Sequence, residues 1–285
     1  NVIPGVSGGT IALITGIYEE FLFTLKSLNL KALKLFFTFQ FGAFFKQINA
    51  GFLFSILAGT TLSLISIAQL FKYLFATHPI QIWAFFFGLI LASVYYIGKT
   101  VGNWSATKVF ALLFGAAFAI GISFLEPATE NTNALYIILC GIIGISGMML
   151  PGLSGSFILI LMGNYQLLMV KAIADFNWMH IGLFGLGSIL GLVGFSHILT
   201  RILKRYKDVT IALLTGFVFG SLNIIWPWKE AVAFVEKASG ELVPIKYEKF
   251  FPSQFDSYTL LAFGMMVLGV VSIALIEHLA TKNNR

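Results

Sequence analysis

Charge is scarce in this chain. Asp, Glu, Lys and Arg make up 11% of its 285 residues, against about 25% in soluble domains, too little polar surface to cover a water-soluble globule. Cysteine occurs once, as Cys140 inside an apolar run, which excludes a disulfide framework and a Cys-based metal site. No Ser/His/Asp set, cluster of metal ligands or phosphate-binding P-loop is present. Hydrolytic, metal-dependent and nucleotide-driven chemistry therefore lacks its usual residues, so no enzyme activity and no cofactor are expected. The long apolar runs hold no charged residue at their middles, where proton relays and ion pumps place theirs. Extended polar sequence is missing too: the longest stretch, 227–257, is short and mixed in charge, so no separate soluble domain is expected.

What is present is hydrophobic length. Apolar residues make up 58% of the chain, and runs of the length needed to cross a hydrocarbon core of about 30 Å recur along it. Spans are predicted near 51–73, 80–98, 107–125, 134–150, 179–200, 209–226 and 258–280. A removable secretory signal cannot account for so many. The net charge of +6 sits in short loops between the runs, as cytoplasmic retention of Lys and Arg requires, rather than in a patch for nucleic acid. Trp83, Trp104, Trp178, Trp226 and Trp228 fall near span ends and read as an interfacial belt.

The chain also repeats itself. Pro4-Gly5-Val6-Ser7-Gly8-Gly9-Thr10-Ile11, continuing to Gly16 and Tyr18, matches Pro151-Gly152-Leu153-Ser154-Gly155-Ser156-Phe157-Ile158, continuing to Gly163 and Tyr165; seven of 19 positions are identical at an offset of 147. Further on the offset becomes 128, aligning Gly59 with Gly187, Gly88 with Gly216 and Ser93 with Ser221, and Phe114-Gly115 aligns with Phe263-Gly264. The reading is a duplication with repeats 1–127 and 128–285, of a length that suits a transporter rather than a solenoid. Charge sets the orientation. Loop 201–208 carries Arg201, Lys204, Arg205 and Lys207, loop 99–108 carries Lys99 and Lys108, and turn 126–133 carries Glu126 and Glu130 without a base. With the first two loops cytoplasmic and the third outside, span 51–73 runs outward and its partner 179–200 inward. The expected fold is an all-α polytopic membrane protein of two inverted halves, each a re-entrant Pro-Gly-x-Ser-Gly helical hairpin plus three transmembrane helices.

Proline and glycine break the helix at each motif. Residues 134–150 and 155–171 then read as two arms of a hairpin entering from outside. Residues 8–24 form the second arm of its copy entering from the cytoplasm, and its first arm, about 17–20 apolar residues by analogy, is expected upstream of Asn1. Each tip is a helix N-terminus with unpaired amides, a natural anion site. Gly5, Gly8, Gly9, Gly152 and Gly155 open the backbone, while Ser7, Thr10, Ser154 and Ser156 add hydroxyls. The bland alternative is that these small residues only permit close helix packing in lipid. Glu19, eleven residues past Gly8 and about 16 Å along a continuous helix, reads either as a substrate or coupling group or as an interfacial anchor; its repeat partner is Gln166. His197 and Arg201 share a helix face at i, i+4 and are candidates to receive a phosphate, with snorkelling of Arg201 the plain alternative.

Around Asn1 to Thr10, Gly16 to Glu19 and Leu150 to Tyr165 the sequence resembles the bacterial polyprenyl-phosphate (undecaprenyl phosphate) transporter family, and the resemblance extends over essentially the whole chain. It implies a lipid flippase in the bacterial cytoplasmic (inner) membrane, returning the phosphorylated carrier lipid to the cytoplasmic leaflet for cell-wall and surface-polymer synthesis, with Asn1, Tyr18 and Tyr165 added to the substrate-binding residues. Coupling to a proton or other ion, and homo-oligomer formation, stay open. Two other readings fit parts of the pattern: a transporter of a small soluble anion or amino acid, bound at the same helix termini, and a membrane phosphatase, for which no nucleophile and base pair is evident.

Overall fold

A computed structural model describes residues 8–236, 242–252 and 255–283. Its elements are α1 (Gly8–Ile14), α2 (Tyr18–Ser27), α3 (Leu30–Phe37), α4 (Phe41–Gln47), α5 (Ala50–Thr77), α6 (Pro79–Thr100), α7 (Ala106–Ile122), α8 (Ala134–Met149) and α9 (Gly155–Leu161). A π-helical turn at Leu167–Lys171 leads into α10 (Ala172–Ala174), followed by α11 (Trp178–Arg205), α12 (Lys207–Ser221), β1 (Lys229–Glu236), β2 (Leu242–Lys249) and α13 (Ser257–Asn283). Local chemistry sets several boundaries. Asn29, Asn133 and Asn177 accept hydrogen bonds from first-turn amides of α3, α8 and α11, and Pro79 opens α6, where its missing N–H costs nothing. Asn49, left-handed at φ 48°, separates α4 from α5.

Three helix pairs form the body: α6 with α13, α7 with α12 and α8 with α11. Glycines set their closeness. A side chain at Gly88 would overlap the Met266 carbonyl on α13, and one at Gly216 would overlap the Leu112 carbonyl on α7. These are the glycines that the offset of 128 aligns, and α6 also packs on α12. The main core lies here, with Ile90, Leu214, Val218 and Ile225 fully buried. Many large apolar side chains remain on the surface, among them Phe54, Leu62, Phe110, Phe114, Leu135, Ile189 and Val267, as expected of helices that face lipid.

The polar ends of the helices gather in two layers. Lys108 bonds Asp208 at 2.6 Å, Lys207 bonds Glu19 at 2.6 Å and Asn49 donates to Glu20 at 3.0 Å. In the other layer Lys171 bonds Glu130 at 3.0 Å, the Asn164 side chain donates to the Asn131 carbonyl, and Asn223 donates to Ser123. Loops 99–108 and 201–208 thus share one end, while Glu130 lies at the far end of α11, a helix of 28 residues and about 42 Å.

Several expectations change. Among the described residues, three helices are long and apolar enough to cross a membrane alone, α6, α11 and residues 257–278 of α13, and α4 with the start of α5 adds a fourth if the pair, bent by 69°, is one span. α7, α8 and α12 have only 17, 16 and 15 residues. α12 packs against both α7 and α6, with Asp208 of its first turn paired to Lys108 and Asn223, just past its last turn, donating to Ser123. The hairpin arms are also shorter than predicted. α9 has seven residues and α1 stops at Ile14, well short of residues 171 and 24, because Gly163 and Gly16, both at φ 74°, end them. In each case the amide after the glycine bonds back five residues, Ile17 to Ala12 and Asn164 to Leu159, a left-handed helix stop. The chain is not wholly α-helical either. β1 and β2 pair antiparallel, Lys229 opposite Lys249 and Glu230 opposite Glu248; the run Ala231-Val232-Ala233-Phe234-Val235 carries the β-branched and aromatic content of a strand.

Candidate functional site

The second motif sits where α8 stops. Leu150 turns extended, Pro151 lacks an amide, and Gly152 takes φ 81°, where a side chain would also meet the Phe217 backbone of α12. Glycine is required on both counts. α9 starts at Gly155 and packs back along α8: Leu159 lies against Gly144, and the Tyr136 hydroxyl donates to the Met162 carbonyl at 2.8 Å. Ser154 and Ser156 share a hydrogen bond of 2.8 Å, and Ser154 does not cap its own helix with its side chain. Ser156 is exposed, whereas Gly152 and Gly155 are buried.

The residues just after the first motif meet the second. The Gly152 amide donates to Oγ1 of Thr10, which is fully buried, at 2.9 Å. The Tyr18 hydroxyl, also buried, donates to the Met149 carbonyl at 2.8 Å, one of the four that a helix leaves unpaired at its C-terminus. Gly9 is buried and Gly8 exposed beside them; Asn1, Gly5 and Ser7 lie outside the described residues. Of the two tyrosines of the repeat, Tyr18 lies in the main core, and Tyr165, half-buried, lies against the cluster of Ile137, Cys140 and Leu159.

Other candidates are dispersed. The turn at Gly16 breaks the continuous helix assumed for Glu19, which instead stands at the start of α2 in an exposed ion pair with Lys207. The pair borders an open cleft of about 640 Å³ that also touches Glu20, Thr24, Gln47 and Asn49. His197 places Nδ1 2.8 Å from the Val193 carbonyl of its own helix, and Arg201 is exposed. Neither lines that cleft. Among the described residues no group of three or more His, Cys, Asp or Glu is placed to hold a metal ion.

At the opposite end is a pocket of about 470 Å³, built in part from the stretch 227–257, which is too short and mixed in charge to be a domain of its own. Lys229, Tyr247 and Lys249 of the β-hairpin line one side, Ser123 to Pro127 another, and Phe157, Ile160 and Leu161 of α9 a third. The Lys229 ammonium lies 3.6 Å from the Trp83 ring centre and 4.7 Å from that of Tyr247, and donates to the Ile224 carbonyl at 2.5 Å. Burial, reinforced by the like charge of Lys249, brings its pKa down to about 7. Burial also lowers Lys249 and raises Tyr247. The available signal was Trp226-Pro227-Trp228-Lys229 followed by Lys246-Tyr247-Glu248-Lys249, basic and aromatic residues alternating within one loop.

Comparison with known proteins agrees with the motif resemblance. A polyprenyl-phosphate transporter of Vibrio cholerae serotype O1 is 39% identical over 288 residues, covering 99% of this chain and 93% of that protein. A polyprenyl-phosphate transporter of Staphylococcus aureus is 32% identical over 245 residues, 80% of this chain and 82% of that protein. Both are named as transporters, not enzymes. No solved structure matches. The sequence profile described as undecaprenyl phosphate translocase-like matches residues 1–243, and the chain belongs to that family.

Proposed function

We propose that this chain carries polyprenyl phosphate across the bacterial cytoplasmic membrane, returning the carrier lipid to the cytoplasmic leaflet while its apolar tail stays in lipid. The observation that carries the reading is the contact between the second Pro-Gly-x-Ser-Gly motif and α1, the helix that follows the first, joined by the Gly152 amide and the Thr10 hydroxyl, in a chain whose relatives are named for this lipid. Residues so far apart in sequence converge on one buried point, and Ser154 and Ser156 present hydroxyls beside it. A phosphate that leaves water must have its hydration replaced. A seven-residue helix such as α9 has a small dipole, so first-turn amides and the hydroxyls of Ser154 and Ser156, with Ser7 from the other motif, take that role.

The same reading makes the two halves inverted repeats whose hairpins enter from opposite faces. Two matched features support it: the glycine stops at Gly16 and Gly163 with equal φ, and the crosswise packing of α6 on α13 and α12 on α7. Exposed Phe124 and Leu125 at the pocket mouth favour an amphiphile over a small soluble anion. The test is transport of fluorescent polyprenyl phosphate in proteoliposomes: Ser154→Ala with Ser156→Ala lowers the rate at least tenfold, and a rate equal to the parent's removes the tips as the phosphate site.

A further inference from the structure

We infer that the pocket under the β-hairpin is a capture site for a phosphate monoester borne on an apolar chain, with Lys229 and Lys249 taking the anion and Phe124 and Leu125 the start of the chain. The inference rests on the transport reading and adds to it the place where the lipid first engages the protein.

Three observations point the same way. First, two ammonium groups line one cavity from directly paired strand positions. Like charges brought together and partly removed from water are unfavourable unless an anion joins them. The depressed pKa of Lys229 is the expected mark of such a site without its ligand. Lys249 spends one of its three donors on the Asn223 side chain, while Lys229 donates to the Ile224 carbonyl and lies over the Trp83 and Tyr247 rings, contacts that an anion at the pocket wall would share. Glu126 also lines the pocket, so the three side chains carry a net positive charge only when Lys229 is protonated, as a bound anion favours, and Tyr247 can supplement it with a hydroxyl.

Second, the remaining walls are apolar. Phe157, Ile160 and Leu161 form one side, while Phe124 and Leu125 are 73% and 60% exposed at the rim. Cationic donors beside exposed apolar surface match an amphiphile with an anionic head. Third, the wall is the functional helix itself. Leu161 is five residues, about 8 Å along α9, from Ser156 at the tip, so a headgroup held by the lysines has a short route to the donors of the proposed translocation site.

The test uses the full-length protein in lipid nanodiscs, with farnesyl phosphate, farnesol and inorganic phosphate as probes in calorimetric titrations. Farnesyl phosphate binds at least tenfold more tightly than inorganic phosphate. Lys229→Met weakens it about tenfold, the loss of one charge-assisted hydrogen bond. Lys249→Gln, at an exposed position that does not endanger folding, has a similar effect, Lys229→Arg stays within threefold of the parent, and farnesol binding does not respond to any of them. Unchanged farnesyl phosphate affinity in Lys249→Gln and in the Lys229→Met, Lys249→Gln double variant overturns the capture site. Equal affinity for inorganic phosphate overturns its assignment to a lipid headgroup. Transport by the same preparations separates the two readings: if the lysine variants transport normally while Ser154→Ala with Ser156→Ala does not, the capture site fails and the tips stand.

Discussion

Replacing Tyr18 by Phe removes one oxygen from the contact between the motifs and leaves the shape of the core intact. The ring is 2% exposed, and its hydroxyl is a buried donor to the Met149 carbonyl at 2.8 Å. Because α8 ends at Met149, that carbonyl has no helical partner further along the chain. Leaving a buried acceptor unsatisfied costs about 1–3 kcal/mol in soluble proteins, while interhelical hydrogen bonds in membranes average about 0.6 and reach about 1.7 kcal/mol. A loss of about 1–2 kcal/mol is therefore expected, a drop of about 2–8 °C in unfolding midpoint for a chain this large. Thermal unfolding in a mild detergent, followed by near-ultraviolet circular dichroism, measures it. Ser66→Ala is the control, since that hydroxyl is exposed and bonds only within its own helix, to the Leu62 carbonyl; its midpoint stays within about 1 °C. A Tyr18→Phe midpoint equal to that of the control would refute the claim that this hydroxyl holds the two motifs together.

Other outcomes follow from the same geometry. Gly187→Ala pushes a methyl into the Ile138 carbonyl of α8 and costs about 1–3 kcal/mol, whereas Gly59→Ala, at the aligned position with nothing within 4 Å, stabilises by up to about 1 kcal/mol; matched unfolding curves decide. Farnesyl phosphate affinity falls as pH rises from 7 to 8.5, because Lys229, with its pKa near 7, loses the charge that attracts the anion while the phosphate stays ionised. Lys249, Tyr247 and Glu126 face the same space, and the pH dependence disappears in Lys229→Arg, so a pH-independent parent contradicts the assignment. Single cysteines in place of Lys204 and Glu130 react with impermeant reagents from opposite sides of the membrane; labelling of both from one side removes the inverted threading.

Membrane residence, the repeat and the motif pair were all legible in the linear sequence, because each is written in local terms. Apolar length marks a span, Lys and Arg mark a loop, and Pro-Gly marks a break wherever it occurs. Even Gly16 and Gly163 stood out as a matched pair. What identity alone did not convey was their backbone: a left-handed residue ends α1 and α9 after seven residues and takes Glu19 off the helix on which it was placed. Tertiary structure decided which matched residues touch. Thr10 meets Gly152 and Tyr18 meets Met149 because α11 packs on both α8 and α2 and α1 lies against α8, pairings between distant segments that no local pattern encodes. The lysine pocket was hidden for the same reason. Lys229 and Lys249 are twenty residues apart, and only strand pairing against the end of α9 brings them to one pocket.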